Sequence, residues 1–116
     1  MSVLNSDRAQ FIGYELGQSA PAATTATTLY TCPSTCKGAT DVVVHVSNRS
    51  TATTFRVWVA KAAAVDANAQ YRAYDTAIGA NGVFSILIGD LEPTDLIRID
   101  AGSANLSFQA NGIEIR

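Results

Sequence analysis

Two cysteines, Cys32 and Cys36, stand just before a run of valines in the stretch "TLYTCPSTCKGATDVVVHVSN". Thiols in such a position can hold a metal ion, carry out redox chemistry, close a small loop or bond another chain. Structural zinc requires four nitrogen or sulfur ligands in a tetrahedron, whereas the chain offers these two thiols and a single histidine, His45. We therefore expect no metal site and no cofactor.

Redox catalysis is not expected either, because the spacing is C-x-x-x-C and not the C-x-x-C of thioredoxin-like sites. Three states remain open for Cys32 and Cys36: a local disulfide, which we favour, two free thiols, or bonds to another chain. A local disulfide would close a five-residue loop and contribute about 2 kcal/mol. Pro33 cannot continue a central ladder, and Ser34 and Thr35 favour a turn. We therefore predict an exposed loop here, between the second and third strands.

Other polar residues are weaker candidates for chemistry. The acidic residues Asp90, Glu92 and Asp95 cluster in "GDLEPTD", and paired carboxylates can serve glycosidases or bind calcium. Their spacing matches no EF-hand loop, so we interpret the cluster as a solvated turn. His45 lies in "VVVHVSN", opposite the valines, and is interpreted as a packed or hydrogen-bonded side chain. No nucleophile elbow, phosphate loop or dinucleotide fingerprint is present, so no enzyme is predicted.

Three aromatic residues, Trp58, Tyr71 and Tyr74, are predicted to be exposed. Exposed aromatic side chains can stack on a sugar or form a protein interface, and with a single Trp we favour the interface. Apolar residues on the apparent outer faces of strands also favour an interface. They are Val43, Trp58, Leu87 and Leu96.

The elements that carry these residues are strands, because apolar residues recur with a period of two. In "FRVWVAK", for example, Phe55, Val57 and Val59 share one face, and Trp58 lies on the other. The segments between the alternating runs are turn-like, and Ala62–Ala69 is read as a loop with at most one helical turn. The predicted strands are Gln10–Gln18, Thr27–Cys32, Thr40–Asn48, Thr54–Lys61, Gln70–Ile78, Gly82–Gly89, Asp95–Asp100 and Asn105–Ile115.

Eight short strands in 116 residues predict an all-β fold, an antiparallel β-sandwich with a jelly-roll-like arrangement. An immunoglobulin-type sandwich is the alternative, but Cys32 and Cys36 are too close in sequence to be its inter-sheet pair. We expect a single domain over residues 1–116, with residues 1–9 as a flexible or arm-like N-terminus.

The composition limits the partners. Only 16% of residues are charged and the formal net charge is −2, with basic residues scattered, so no nucleic-acid partner is expected. The N-terminus lacks the apolar region of a signal peptide, and no apolar run is long enough to predict a membrane span. A sparsely charged surface suits a subunit that packs against neighbours.

Three stretches follow one another from Leu29 to Ile115: "TLYTCPSTCKGATDVVVHVSNRSTATTFRVWVAKA", "YRAYDTAIGANGVFSILIGDLEPTDLIRI" and "SANLSFQANGIEI". In their order and spacing they resemble a family of small tailed-phage virion proteins. Family members usually have an apolar residue followed by Pro-Ala-Gly where this chain has Cys32 to Cys36. The cysteines are thus an addition, with no shared catalytic role implied.

The resemblance implies a non-enzymatic structural protein of the virion, assembled in the host cytoplasm. We expect a capsid decoration or cement protein that stabilises the outer shell, with a neck, collar or tail-accessory subunit, or a carbohydrate-binding module of a tail fibre, as alternatives. The expected partners are further copies of the chain in a homotrimer, because decoration sites commonly lie on three-fold axes, and other virion proteins such as the major capsid protein.

Overall fold

The structure is a computed structural model that describes residues 11–116, so the predicted N-terminal arm lies outside the described residues. The described part is a β-sandwich with two short 3-10 turns, Lys61–Ala63 and Asn68–Gln70, between the fourth and fifth strands. The strands are β1 (Phe11–Ser19), β2 (Thr27–Thr31), β3 (Gly38–Asn48), β4 (Thr53–Ala60), β5 (Tyr71–Ile78), β6 (Val83–Leu91), β7 (Leu96–Ala101) and β8 (Leu106–Ile115).

The strands form two four-stranded antiparallel sheets. Sheet I has the order β1-β8-β3-β6 and sheet II the order β2-β7-β4-β5. The chain passes from one sheet to the other at every connection except β4–β5, which join as neighbours within sheet II. This order is that of a jelly roll, in which two Greek keys are wrapped together. The predicted jelly-roll-like sandwich is confirmed, and the immunoglobulin alternative is wrong.

The core lies between the sheets and follows from the period-two pattern, because every second side chain of a strand points to the same face. Phe55 of sheet II meets Phe108 of sheet I edge to face, with ring centroids 6.3 Å apart. Burying a side chain of this size stabilises the fold by roughly 1.5–3 kcal/mol. The largest fully buried apolar side chains are Phe55, Phe108, Ile97, Ile99, Leu106, Val42, Val44, Val46 and Val57.

Strand bounds agree with the sequence prediction to within two residues at every end. The segment Ala62–Ala69 is a connection, as predicted, but two 3-10 turns overlap its ends where at most one helical turn was expected. The Asn111–Gly112 pair lies inside β8, and the ladder irregularities fall on the strands beside it, between Glu15 and Gly17 and between Thr40 and Val43.

The connection between β3 and β4 is fastened by Asn48, whose side chain is only 4% exposed. Its amide nitrogen donates to the carbonyl of Thr51 at 2.8 Å and to that of Gly79 at 3.0 Å. Its carbonyl oxygen accepts from the backbone N–H of Ser50 at 3.1 Å. One side chain therefore holds two neighbouring turns together at this end of the sandwich.

Each sheet has two edge strands, β1 and β6 in sheet I and β2 and β5 in sheet II. On one side of the sandwich β5 and β6 lie against each other. There the guanidinium of Arg72, on β5, donates to the backbone carbonyl of Ile88, on β6, at 3.1 Å. The rest of the open edge of β6 makes no backbone ladder with any strand of residues 11–116.

Candidate functional site

The two cysteines lie in the connection between β2 and β3, as predicted, but they are buried. Cys32 has no exposed surface and Cys36 is 5% exposed, so the prediction of an exposed loop tip is wrong for both side chains. A turn closed by the Cys36 N–H donating to the Pro33 carbonyl at 3.2 Å directs the segment inward. Both cysteines are free thiols in the structure. No disulfide joins them, and the burial of Cys32 opposes a bond to another chain.

Cys32 packs in the hydrophobic core, whereas Cys36 belongs to a polar cluster at the end of β8. The Tyr30 hydroxyl donates to Glu114 Oε2 at 2.6 Å, and Arg116 contacts Glu114 Oε1 at 2.9 Å. The Cys36 thiol donates to the same Oε1 with a sulfur–oxygen distance of 3.8 Å. Glu114 is only 3% exposed. A buried carboxylate is costly unless donors surround it, and these three side chains supply them.

The protonation of the cluster follows from its burial. Burial raises the pKa of Tyr30 well above its usual range, and the hydrogen bond to Glu114 raises it further. Burial likewise raises the pKa of Cys32, although the neighbouring Tyr30 hydroxyl opposes the shift. A nucleophilic cysteine needs a depressed pKa and some exposure, and Cys32 has neither. We interpret the cluster as a structural fastening of β2, the connection that follows it, and β8.

The acidic turn is only in part the solvated loop predicted from the sequence. Asp95 is 2% exposed, so that interpretation is wrong for this residue. Its carboxylate accepts from the backbone N–H groups of Ala62 and Glu92, each at 2.8 Å, and pairs with Lys61 at 2.6 Å. Burial alone would raise the pKa of Asp95, but the hydrogen bonds from Lys61 and the two N–H groups outweigh it and lower the pKa.

The three aromatic residues form a row across the outer face of sheet II. The ring centroids of Trp58 and Tyr71 are 5.2 Å apart, and those of Tyr71 and Tyr74 are 4.7 Å apart. Tyr74 is 55% exposed, but Trp58 is only 3% exposed, and its indole N–H donates to Asp66 at 2.9 Å. The prediction that Trp58 is exposed is therefore wrong, because the connection between β4 and β5 covers it.

His45 is half-buried on the outer face of sheet I, opposite the buried valines as predicted. Its Nδ1 lies 2.8 Å from the hydroxyl of Ser85, a hydrogen bond whose direction depends on the tautomer. Within residues 11–116, no group of three or more His, Cys, Asp or Glu residues is placed to hold a metal ion.

The most exposed apolar side chains of the strands lie on β6. Val83 is 79% exposed and Leu87 is 70% exposed, and both belong to the face of β6 that points away from the core. Val43, directly opposite Leu87 in the β3–β6 ladder, is half-buried beside it. We call these three residues the β6 strip. Leu87 is thus an outer-face residue, as predicted, whereas Leu96 is half-buried.

Comparisons with known proteins give no relative for this chain. No family model, no curated protein and no solved structure matches it. Among residues 11–116, no helix has the length and apolar character that crossing a lipid bilayer requires.

Proposed function

We propose that this chain is a non-enzymatic structural protein of a tailed-phage virion, and that it acts as a capsid decoration protein that binds the outer shell and stabilises it. The observation that carries the proposal is the β6 strip, in which Val83 and Leu87 are strongly exposed on an edge strand and Val43 lies beside them on β3. The motif resemblance given above supplies the virion setting.

An exposed edge strand is normally protected, because its free N–H and C=O groups invite pairing with another chain. Natural proteins protect such edges with lysine, proline or inward-pointing charge. The sequence of β6, "VFSILIGDL", contains neither lysine nor proline, and its one charged residue, Asp90, stands near the end. Although β5 covers part of this edge, the exposed valine and leucine support contact with another protein in the assembled state.

The partner that we propose for the β6 strip is the neighbouring copy in a homotrimer, which then sits on the major capsid protein. A ring of three copies needs a heterologous contact whose rotation closes, and the strip supplies one half of it. Three weak contacts with the shell then add through multivalency. The low charged fraction of the chain, 16%, fits this role because interface cores are depleted of charged residues.

The buried polar side chains are consistent with a structural role. Among residues 15–116, the buried polar and charged residues are Asp95, Glu114 and Asn48, and each is bonded to groups that fasten two segments of the chain together. Of the three aromatic residues considered for a sugar platform, Trp58 offers no open face. The row therefore gives less support to a carbohydrate-binding module than the β6 strip gives to assembly.

Cryo-electron microscopy of the phage particle that carries this protein tests the proposal. We expect density for the sandwich on the outer shell, as three copies around a three-fold or quasi-three-fold position. Particles made with Leu87→Asp should lose most of this density, because a charge on the strip opposes ring closure. The matched control is Val65→Asp, at an even more exposed apolar residue in the connection between β4 and β5.

The outcomes are distinct. Density at the neck, collar or tail would show that the protein is located there and not on the outer shell. Particles that contain none of this protein would overturn the virion proposal altogether. If the density on the shell is as strong with Leu87→Asp as with the unchanged chain, the protein is a shell component but the β6 strip takes no part in its assembly.

A further inference from the structure

A cavity of about 350 Å³ opens on the outer face of sheet II, away from the β6 strip. Its lining comes from four separate parts of the chain: the segment before β2, and strands β4, β5 and β7 with the turn that follows β7. The lining residues that matter here are Thr24, Thr54, Arg56, Asp75, Asp100 and Gly102. The volume lies at the lower end of the ~300–1,000 Å³ typical of small-molecule sites.

The backbone is specially shaped around this cavity. Thr24 has φ 52° and Asp75 has φ 47°, both in the left-handed region that side chains other than glycine rarely occupy. Gly102 cannot carry a side chain, since a Cβ there would lie 2.5 Å from Thr53 Oγ1 and 2.7 Å from the Thr54 carbonyl. Backbone outliers of this kind are concentrated at ligand sites, and here two line one cavity.

One wall of the cavity is held rigid by an ion pair. The Arg56 guanidinium binds both oxygens of Asp75, through Nε at 2.7 Å and through Nη2 at 3.3 Å. The same guanidinium lies 4.2 Å from the centroid of the exposed Tyr74 ring. Two hydrogen bonds between one guanidinium and one carboxylate fix the plane and the position of both groups. Arg56, Asp75 and Tyr74 therefore present a preorganised polar surface with an aromatic ring beside it.

Beside this ion pair, the cavity is lined by polar groups with no partner among the described residues. Asp100 is directly opposite Arg56 in the β4–β7 ladder, and it is half-buried. Its carboxylate makes no hydrogen bond or ion pair with any described residue, and neither does the hydroxyl of Thr54. A carboxylate accepts up to four hydrogen bonds and a hydroxyl both donates and accepts. The cavity thus offers the carboxylate oxygens of Asp100 as acceptors and the hydroxyl of Thr54 as a donor.

The chemistry of this lining selects the ligand. Two carboxylates and one guanidinium disfavour an anion, and no cluster in the described part of the chain has the ligands for a metal ion. A pair of neighbouring hydroxyl groups fits, because one can donate to the carboxylate of Asp100 while the other accepts from the hydroxyl of Thr54. We propose that this cavity binds one saccharide unit of a glycan through two vicinal hydroxyls. This proposal is independent of the assembly role of β6.

The test is a nitrogen-15 chemical-shift titration of the full chain. The probes are the methyl glycosides of glucose, galactose, mannose and N-acetylglucosamine, each raised to about 10 mM so that complexes with Kd near 1 mM are detected. We expect at least one of them to shift amide signals of the lining residues, Thr54 and Gly102 among them, while signals of β6 stay in place.

Asp100→Asn keeps the shape of the side chain but replaces one acceptor with a donor, and should weaken the binding at least tenfold. The matched control is Asp90→Asn on sheet I, which should bind like the unchanged chain. Thr54→Val, which removes the hydroxyl without changing the volume, provides a second variant should Asp100→Asn fold poorly. The proposal is overturned if none of the four glycosides shifts these signals, if the shifts lie elsewhere, or if the variants of the lining bind unchanged.

Discussion

At the scale of single residues, the buried carboxylate of Glu114 explains why Cys36 is not at the surface, whereas Cys32 packs in the hydrophobic core. A carboxylate in the interior gathers donors around it, and the segment that carries the cysteines supplies one of them, the Cys36 thiol. Tyr30 on β2 and Arg116 after β8 supply others. The Cys36 thiol is thus one partner in a cluster that ties the end of sheet I to the edge of sheet II.

Thiol labelling should report this burial. We expect iodoacetamide at pH 8 to modify both cysteines at least about a hundredfold more slowly in the native protein than in denaturant, which corresponds to ~2.7 kcal/mol of local opening. Cys32 should be the slower, because it has no exposed surface and burial raises the pKa of its thiol. Single Cys32→Ser and Cys36→Ser variants separate the two rates by mass spectrometry. Native labelling at the denatured rate would contradict the buried positions.

Asp95 should make stability depend on pH in the acid range. Because its folded pKa is lowered, its contribution is complete above the unfolded pKa of about 3.9 and is lost as pH falls through the folded value. We expect Asp95→Asn to cost about 1–3 kcal/mol of unfolding free energy at pH 7, and the difference to shrink towards zero below that folded pKa. Urea unfolding across this range measures it.

The control for this pH series is Glu92→Gln. Glu92 lies 3.6 Å from Lys61, and its side chain is 80% exposed, so the substitution should leave stability nearly unchanged at every pH. A constant difference between Asp95→Asn and the unchanged chain from pH 7 down to pH 2 would show that the charge of Asp95 contributes nothing.

Single residues also show where sequence reasoning ends. Alternation places Trp58 on the outer face of β4, and it does lie there. That the indole is covered depends on Asp66, which reaches it from a connection whose path no local pattern describes. In the same way, Glu114 was not singled out, because its donors come from residues as far away in the chain as Tyr30. Contacts between separate segments of the chain determine both the covering of Trp58 and the donors around Glu114.

At the scale of elements, the strands were predictable because alternation is a property of neighbouring residues. The sharp turns were also predictable from the sequence. In the "GANG" segment, the Gly82 N–H donates to the Gly79 carbonyl, and Asn81 has φ 58°. The bulges, by contrast, could not be predicted from the sequence. The shift between Thr40 and Val43 is defined by the partner strand β8, and a single strand carries no record of its partner's register.

The turn between β3 and β4 should depend on the side chain of Asn48. Asn48→Ala removes the donor shared by the Thr51 and Gly79 carbonyls and leaves the backbone N–H of Ser50 without its acceptor. We expect a loss of about 1–3 kcal/mol in the free energy of unfolding, measured by urea titration. Asn68→Ala, at an exposed residue of the second 3-10 turn, is the control and should change stability by less than about 0.5 kcal/mol. Equal losses from the two variants would count against the fastening.

At the scale of the whole molecule, the β6 strip should determine the association state in solution. We expect multi-angle light scattering to give a trimer for the unchanged chain and a monomer for Leu87→Asp, because a buried unpaired charge is costly at an interface. Val65→Asp should remain a trimer. A monomer for the unchanged chain at every concentration would contradict the proposed ring.

The position of β8 between β1 and β3 also has a consequence for how the chain folds. Since β8 supplies both ladders that join β1 to the rest of sheet I, most of that sheet has to wait for the last strand to be synthesised. Only β4 and β5 pair as sequence neighbours, so nearly all native contacts close long loops, and such topologies fold slowly, in about milliseconds to seconds. On the ribosome, the β4–β5 hairpin can form early, while β3 keeps one edge open until β8 emerges to fill it.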